Sequence, residues 1–160
     1  MDSLIEILQK NARCGDKELA ELLGSSEDDI KASVRALEEK GAILGYTAVV
    51  DPEHVEDGKR VSAVIEVKIT PERGGGFDLL ATRIAKFDQV ESCVLMSGGY
   101  DLSVVVSGDS LQDVARFVAE KLSTLQGVIS TATHFHLKTY KRDGFLAKAD
   151  GGGDRLPVTP

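Results

Sequence analysis

Apolar positions along the chain follow two different periods. Up to residue 40 they recur at helical spacing: Leu4, Ile7 and Leu8, then Leu19, Ala20, Leu22 and Leu23, then Ile30, Val34 and Leu37. The spacing predicts three short helices. The first covers 2–12 and is broken by Gly15, and the second runs over Asp16–Leu23 with Gly24 as its C-terminal cap. The third opens on Ser26-Glu27-Asp28-Asp29, which has the S-x-x-D form of a capping box, and ends at Gly41. Three helices with tight Gly/Ser turns suggest a helix-turn-helix, and they fit an interaction bundle equally well.

After Gly41 the period changes. Residues 42–50 read as a strand with a turn or bulge at Gly45, the expected wing, and 51–60 are polar and punctuated by Pro52 and Gly58, a linker that contains His54. From Val61, alternating Val61, Ala63, Ile65, Val67 and Ile69 predict a strand over 61–69. A helix over 77–87 follows with Phe77, Leu80, Ala81 and Ile84, then strands 90–95 and 102–106, a helix 110–124 and a strand 128–139. The order βαββαβ predicts an α+β, ferredoxin-like domain: a four-stranded antiparallel sheet with both helices on one face. Along 128–139, Ile129, Thr131, Thr133, Phe135 and Leu137 share one side, while Ser130, Ala132, His134, His136 and Lys138 share the other. Apolar residues on both faces predict that the helix-free face packs against another subunit. The expected organisation is therefore 1–50 winged helix-turn-helix, 51–60 linker, 61–142 effector-binding and assembly domain, and 143–160 mobile tail.

Composition narrows this picture. The chain has 160 residues and is 42% hydrophobic, enough for one ordinary domain or two small ones. It contains no run of about 18 apolar residues, and its first residues are amphipathic and acidic rather than signal-like, so a cytoplasmic protein is expected. The formal net charge of −7 disfavours non-specific adhesion to nucleic acid or anionic membrane, although a local basic patch can still bind DNA. Cys14 and Cys93 lie far apart with no CxxC or neighbouring His, so neither a disulfide framework nor a metal site is indicated. Gly74-Gly75-Gly76 precedes a helix without the Lys-Ser/Thr of a phosphate loop, and no cofactor fingerprint is present.

One stretch carries candidate chemistry. Met96-Ser97-Gly98-Gly99-Tyr100-Asp101 joins two β-branched runs as a hairpin turn. Glycine there leaves bare backbone that a ligand can approach, with a phenol and a carboxylate beside it. The alternative is a plain turn in which Asp101 bonds local N–H groups.

Several separate pieces together resemble the leucine-responsive regulatory protein/AsnC (Lrp/AsnC) family of prokaryotic transcription regulators. They are Leu19-Ala20 and Gly24-Ser25-Ser26, the run from Arg35 to Tyr46, Gly98-Gly99-Tyr100-Asp101, and Thr131-Ala132-Thr133 with Leu137 and Lys141. The resemblance covers residues 1 to about 145. It implies a winged helix-turn-helix joined to a ferredoxin-like ligand-binding domain, dimers that associate further, and an amino-acid effector. It places the effector pocket at a subunit interface around Gly98, Gly99, Tyr100 and Asp101, with Thr133 lining it or facing the core. It makes the third helix the recognition helix, with Ser26, Lys31 and Arg35 as DNA contacts. The cations that family members typically carry at the positions of Ala32, Ser33 and Ala36 are absent, and Glu27, Asp28, Asp29, Glu38 and Glu39 outnumber Lys31, Arg35 and Lys40. Acids in a first turn favour the helix dipole but repel phosphates, so weak or strongly salt-sensitive DNA binding is expected, recovered through multivalent assembly.

Three functions follow as expectations. The first is a DNA-binding regulator sensing a small metabolite, and the second is a ligand-binding or assembly module with degenerate DNA binding. The third is an enzyme, since siroheme decarboxylases are similar to this family in fold; His134 and His136 would be its ligands or proton donors, but no catalytic set accompanies them.

Overall fold

Each of the first three helices carries one apolar stripe, and the stripes bury one another. In the computed structural model, which describes residues 3–55, 60–71, 74 and 76–148, α1 is Ser3–Lys10, α2 Asp16–Leu23 and α3 Glu27–Glu39. Leu4, Leu19, Ala20 and Ile30 form a buried core, with Ile7, Leu8, Leu23, Val34 and Leu37 packed around it. Gly15 turns out to cap the start of α2 rather than to break α1, which ends earlier at Lys10. Gly24 closes α2 in the left-handed region (φ 63°), and the N–H groups of Gly24 and Ser25 both donate to the Ala20 carbonyl.

The expected wing is not a strand of this chain. Residues 42–50 pair with no strand among the described residues, and Leu44, Tyr46, Val49 and Val50 are exposed. A strand-like sequence needs a neighbour to satisfy its ladder, and none of the described strands pairs with this segment. Its start is anchored by the N–H groups of Ala42 and Ile43 donating to the Leu37 carbonyl.

The chain divides into two compact units, Met1–Val49 and Val50–Pro160. In the second, β1 (Val61–Ile69), α4 (Asp78–Ala85), β2 (Val90–Leu95), β3 (Leu102–Gly108), α5 (Leu111–Phe117) and β4 (Val128–Phe135) follow the predicted order. A π-helical turn, Val118–Leu122, extends α5. The strands lie in the order β2-β3-β1-β4, each pair antiparallel, which is the ferredoxin-like arrangement. Ala63, Ile65, Val67 and Ile69 of β1 and Leu102, Val104 and Val106 of β3 pack against Leu80, Ile84, Val114, Phe117 and Leu122. Phe87 and Phe117 meet edge to face at 5.4 Å. The opposite face carries Val64, Val105, Val94 and Ala132 among Ser62, Ser92, Ser103, Glu66, Lys68 and His134.

β4 is shorter than the alternation suggested, and the chain beyond it is not featureless. Lys141–Arg142 (β5) pairs with Phe145–Leu146 (β6) across Asp143-Gly144, whose φ values of 47° and 89° make the two-residue turn that a twisted hairpin favours. Residues 143–146 thus belong to a hairpin, the Ala147 N–H donates to the Tyr140 carbonyl at 3.0 Å, and 149–160 of the expected tail lie outside the described residues.

Candidate functional site

The outward face of α3 is set by its buried one. With Ile30, Val34 and Leu37 turned to the core, Asp28, Ala32, Arg35 and Glu39 recur at i, i+4, i+7 and i+11 on the exposed side, flanked by Lys31. The charges there are largely engaged. Ser26 Oγ accepts from the Asp29 N–H at 3.2 Å and donates to the Asp29 carboxylate at 2.6 Å, completing the predicted cap. Its single O–H is spent in this way, so a phosphate contact by that hydroxyl requires opening the cap. Arg35 Nε donates to Glu39 Oε1 at 2.9 Å. The Tyr46 hydroxyl donates to Glu38 Oε1 at 3.0 Å, and burial, then the Glu38 hydrogen bond and charge, then Asp16, raise the phenol above its ordinary pKa. Lys31 has no ion-pair partner among the described residues and is the freest cation on this face.

At the second candidate, the strand ladder itself explains the geometry. β3 begins at Leu102 opposite Val67, so beyond that pair β1 has no strand residue beside it on the β3 side. Asp101 fills the gap: its N–H donates to the Val67 carbonyl at 3.0 Å and its Oδ2 accepts from the Ile69 N–H at 2.8 Å. The Asp101 carbonyl accepts from the Met96 N–H at 2.8 Å, closing the turn. The bond from Asp101 therefore reaches across the sheet rather than locally. Gly98 has φ 136°, a conformation that L side chains rarely adopt, and a Cβ at Gly98 or Gly99 would meet nothing within 4 Å. Their N–H groups take no backbone bond among the described residues. Tyr100 is half-buried beside them.

Thr133 is elsewhere. It pairs with Ile65 on β4, exposed at the sheet edge, whereas the turn lies on the other side of β1, so within one chain two strand spacings, about 10 Å, separate them. Thr131 is half-buried with its hydroxyl 3.1 Å from that of Ser123. Recesses of about 330, 240 and 120 Å³ exist on this domain, and none is lined by residues 96–101. His134 Nε2 lies 3.4 Å from Glu66 Oε1, and His136 follows on the same strand extension. Burial raises the Cys93 thiol pKa; burial, then Glu18, does so at Cys14, so neither is poised as a thiolate. Sequence reasoning missed the Asp101–Ile69 bond, which joins residues with no local spacing signal, and the Asp143-Gly144 hairpin, whose dipeptide is itself a turn signal.

Comparison with known proteins adds independent findings. Residues 3–38 match the AsnC-type helix-turn-helix domain and residues 62–146 the Lrp/AsnC ligand binding domain. The HTH-type transcriptional regulator YugG of Bacillus subtilis is 46% identical over 157 residues, covering 98% of this chain and 95% of that protein. The leucine-responsive regulatory protein of Escherichia coli is 29% identical over 146 residues, covering 90% and 87%. Among solved structures, the Mycobacterium tuberculosis leucine response regulatory protein LrpA superposes with a TM-score of 0.72 at 26% identity, covering 88% of this chain and 92% of that one. The Neisseria meningitidis regulator NMB0573 in complex with L-Met superposes with a TM-score of 0.65 at 27% identity, covering 87% and 88%.

Proposed function

Because the chain belongs to the Lrp/AsnC family of transcriptional regulators, which are not enzymes, we propose that it senses a small amino acid at the Gly98–Asp101 turn, at a contact between subunits. Residues 1–50 serve as the DNA-binding unit, 51–60 as the linker and 61–142 as the effector and assembly domain, acting in the cytoplasm where DNA lies. The observation that carries the reading is the turn itself. Asp101 is tied to Ile69 and Met96 at the base of the turn, and the N–H groups of Gly98 and Gly99, which take no backbone bond among the described residues, are left to donate to a carboxylate. The three recesses described above do not include them, which supports a pocket completed by a second subunit, with the helix-free sheet face as the other packing surface. The L-Met complex of the Neisseria relative supports an amino acid as the effector class.

DNA contact falls to Lys31 and Arg35, with Ser26 serving the cap first. Specific binding requires Arg35 to leave Glu39, so affinity rests on assembly of several such helices. A second reading, a ligand-binding module with degenerate DNA binding, is favoured by that same Arg35–Glu39 pair. Calorimetry of the full chain against each amino acid, paired with a pull-down on native genomic fragments, tests both. Heat with at least one amino acid and recovery of specific fragments supports the regulator; ligand heat with no DNA recovered selects the module, and no heat at all removes the sensing claim.

A further inference from the structure

The acids of α3 are used differently. Asp29 is held by Ser26 in the cap, Glu38 accepts from the Tyr46 hydroxyl, and Glu39 accepts from Arg35. Glu27 lies three residues before the buried Ile30 and so on the flank next to the apolar stripe. Asp28 differs from all four. It is exposed, it shares the outward side with Ala32 and Arg35, and its carboxylate has no hydrogen bond or ion pair among the described residues. Its place in the first turn suits an anion through the helix dipole, but Glu27 and Asp29 occupy the same turn and already supply that charge.

α3 is the last helix of the matched helix-turn-helix domain, and a recognition helix lies in the major groove with its first residues at the base edges. There a carboxylate has few partners. Phosphate oxygens repel it. Guanine offers two acceptors and thymine an acceptor and a methyl group, so neither base can donate to it. Only the amino groups of cytosine and adenine donate, and adenine sets its amino group beside the N7 acceptor, which a carboxylate, an acceptor alone, cannot satisfy. Cytosine N4 is the match.

The neighbours leave that choice to Asp28. Ala32, one turn on, carries a methyl group that neither donates nor accepts, and Arg35 is drawn toward Glu39 at the far end of the helix. Lys31, unpaired and three residues on, suits a phosphate contact, which fixes position without reading sequence. Affinity and specificity at this end of α3 therefore fall to different residues, the first to a cation and the second to an acid.

We infer that Asp28 is a specificity-determining residue of the DNA interface, its carboxylate accepting a hydrogen bond from the N4 amino group of a cytosine in each stretch of duplex that α3 occupies. The inference rests on the reading of α3 as the recognition helix.

Selection of duplexes from a random pool at low salt tests it, with the full chain as wild type, Asp28→Asn, Asp28→Ala and Glu27→Gln. The wild type is expected to recover sites with a fixed cytosine, and replacing that base is expected to weaken its binding about tenfold. Asp28→Asn is expected to move the preference there to adenine, whose N7 and N6 a carboxamide meets as donor and acceptor. Asp28→Ala is expected to lose the preference while binding the pool at least as tightly, since a charge that repels phosphate is gone. Glu27→Gln is expected to keep the cytosine. The same recovered sequence for wild type, Asp28→Asn and Asp28→Ala would overturn the inference and leave α3 as the recognition helix, with Asp28 serving the helix dipole alone. A wild type that recovers no common sequence would overturn both. A cytosine lost with Glu27→Gln but kept with Asp28→Ala would also overturn the inference, by moving the readout to the neighbouring acid.

Discussion

Two aspartates, Asp29 and Asp101, hold two backbone features in place, and they do it over different ranges. Asp29 exchanges hydrogen bonds with Ser26, three residues away, at the start of α3. Asp101 binds the N–H of Ile69, thirty-two residues away, where β3 has run out beside β1. The first is a local spacing and secures a helix in which Arg35, Glu38 and Glu39 are paired within the helix or to Tyr46, with Lys31 left free. The second is a long-range tie and leaves the neighbouring Gly98 and Gly99 amides open. The cap of α3 thus closes on itself, while the turn before β3 leaves the Gly98 and Gly99 amides without a backbone partner.

The largest expected effect breaks the long-range tie. Asp101→Ala leaves the part-buried Ile69 N–H unpaired and is expected to lower stability by about 1–3 kcal/mol, with Asp101→Asn recovering most of it because an oxygen acceptor remains. Denaturant midpoints of the full chain read this directly, and equal midpoints for wild type and Asp101→Ala would show that the bond carries no load. Breaking the local tie costs less: Ser26→Ala is expected to lose about 1 kcal/mol, confined to the first unit, with earlier loss of helical signal on heating.

A smaller change sharpens the contrast from the DNA side. Glu39→Gln frees Arg35 from a pair worth only about 0.3–0.5 kcal/mol to the helix, so folding is nearly unchanged. DNA affinity is expected to rise several-fold, with the salt slope steepening by about one phosphate contact per subunit engaged. Affinity and slope measured across a salt series decide it, and an unchanged slope would mean that Arg35 does not reach phosphate.

The smallest effect is at Tyr46. Its raised pKa means that the neutral phenol is the form favoured by the folded unit, so its bond to Glu38 contributes fully below the ordinary phenol value and is lost as pH rises through the raised one. Tyr46→Phe is expected to remove that alkaline dependence, seen as flattening of the first unit's melting temperature above about pH 10.

The same contrast explains what was legible in the sequence. Helices α1 to α3, the S-x-x-D cap and the βαββαβ order rest on periodicities and spacings of a few residues, and the structure contains them all. Residues 42–50 have strand composition without a strand partner, which no local pattern can reveal. The turn was visible as Gly98-Gly99 between β-branched runs, but its anchor on Ile69 depended on where β3 ends in the register. Thr133 illustrates the converse: the correct strand face was readable, but not that β4 is an edge strand on the side of β1 away from the turn.

Hydrogen exchange of the peptide spanning residues 96–101, measured on the assembled full chain with and without pools of amino acids at saturating concentration, tests the central claim most directly. The account predicts that at least one pool slows exchange at Gly98 and Gly99 while Met96 and Asp101, already bonded, change little. Exchange at Gly98 and Gly99 that stays the same with every pool would contradict it.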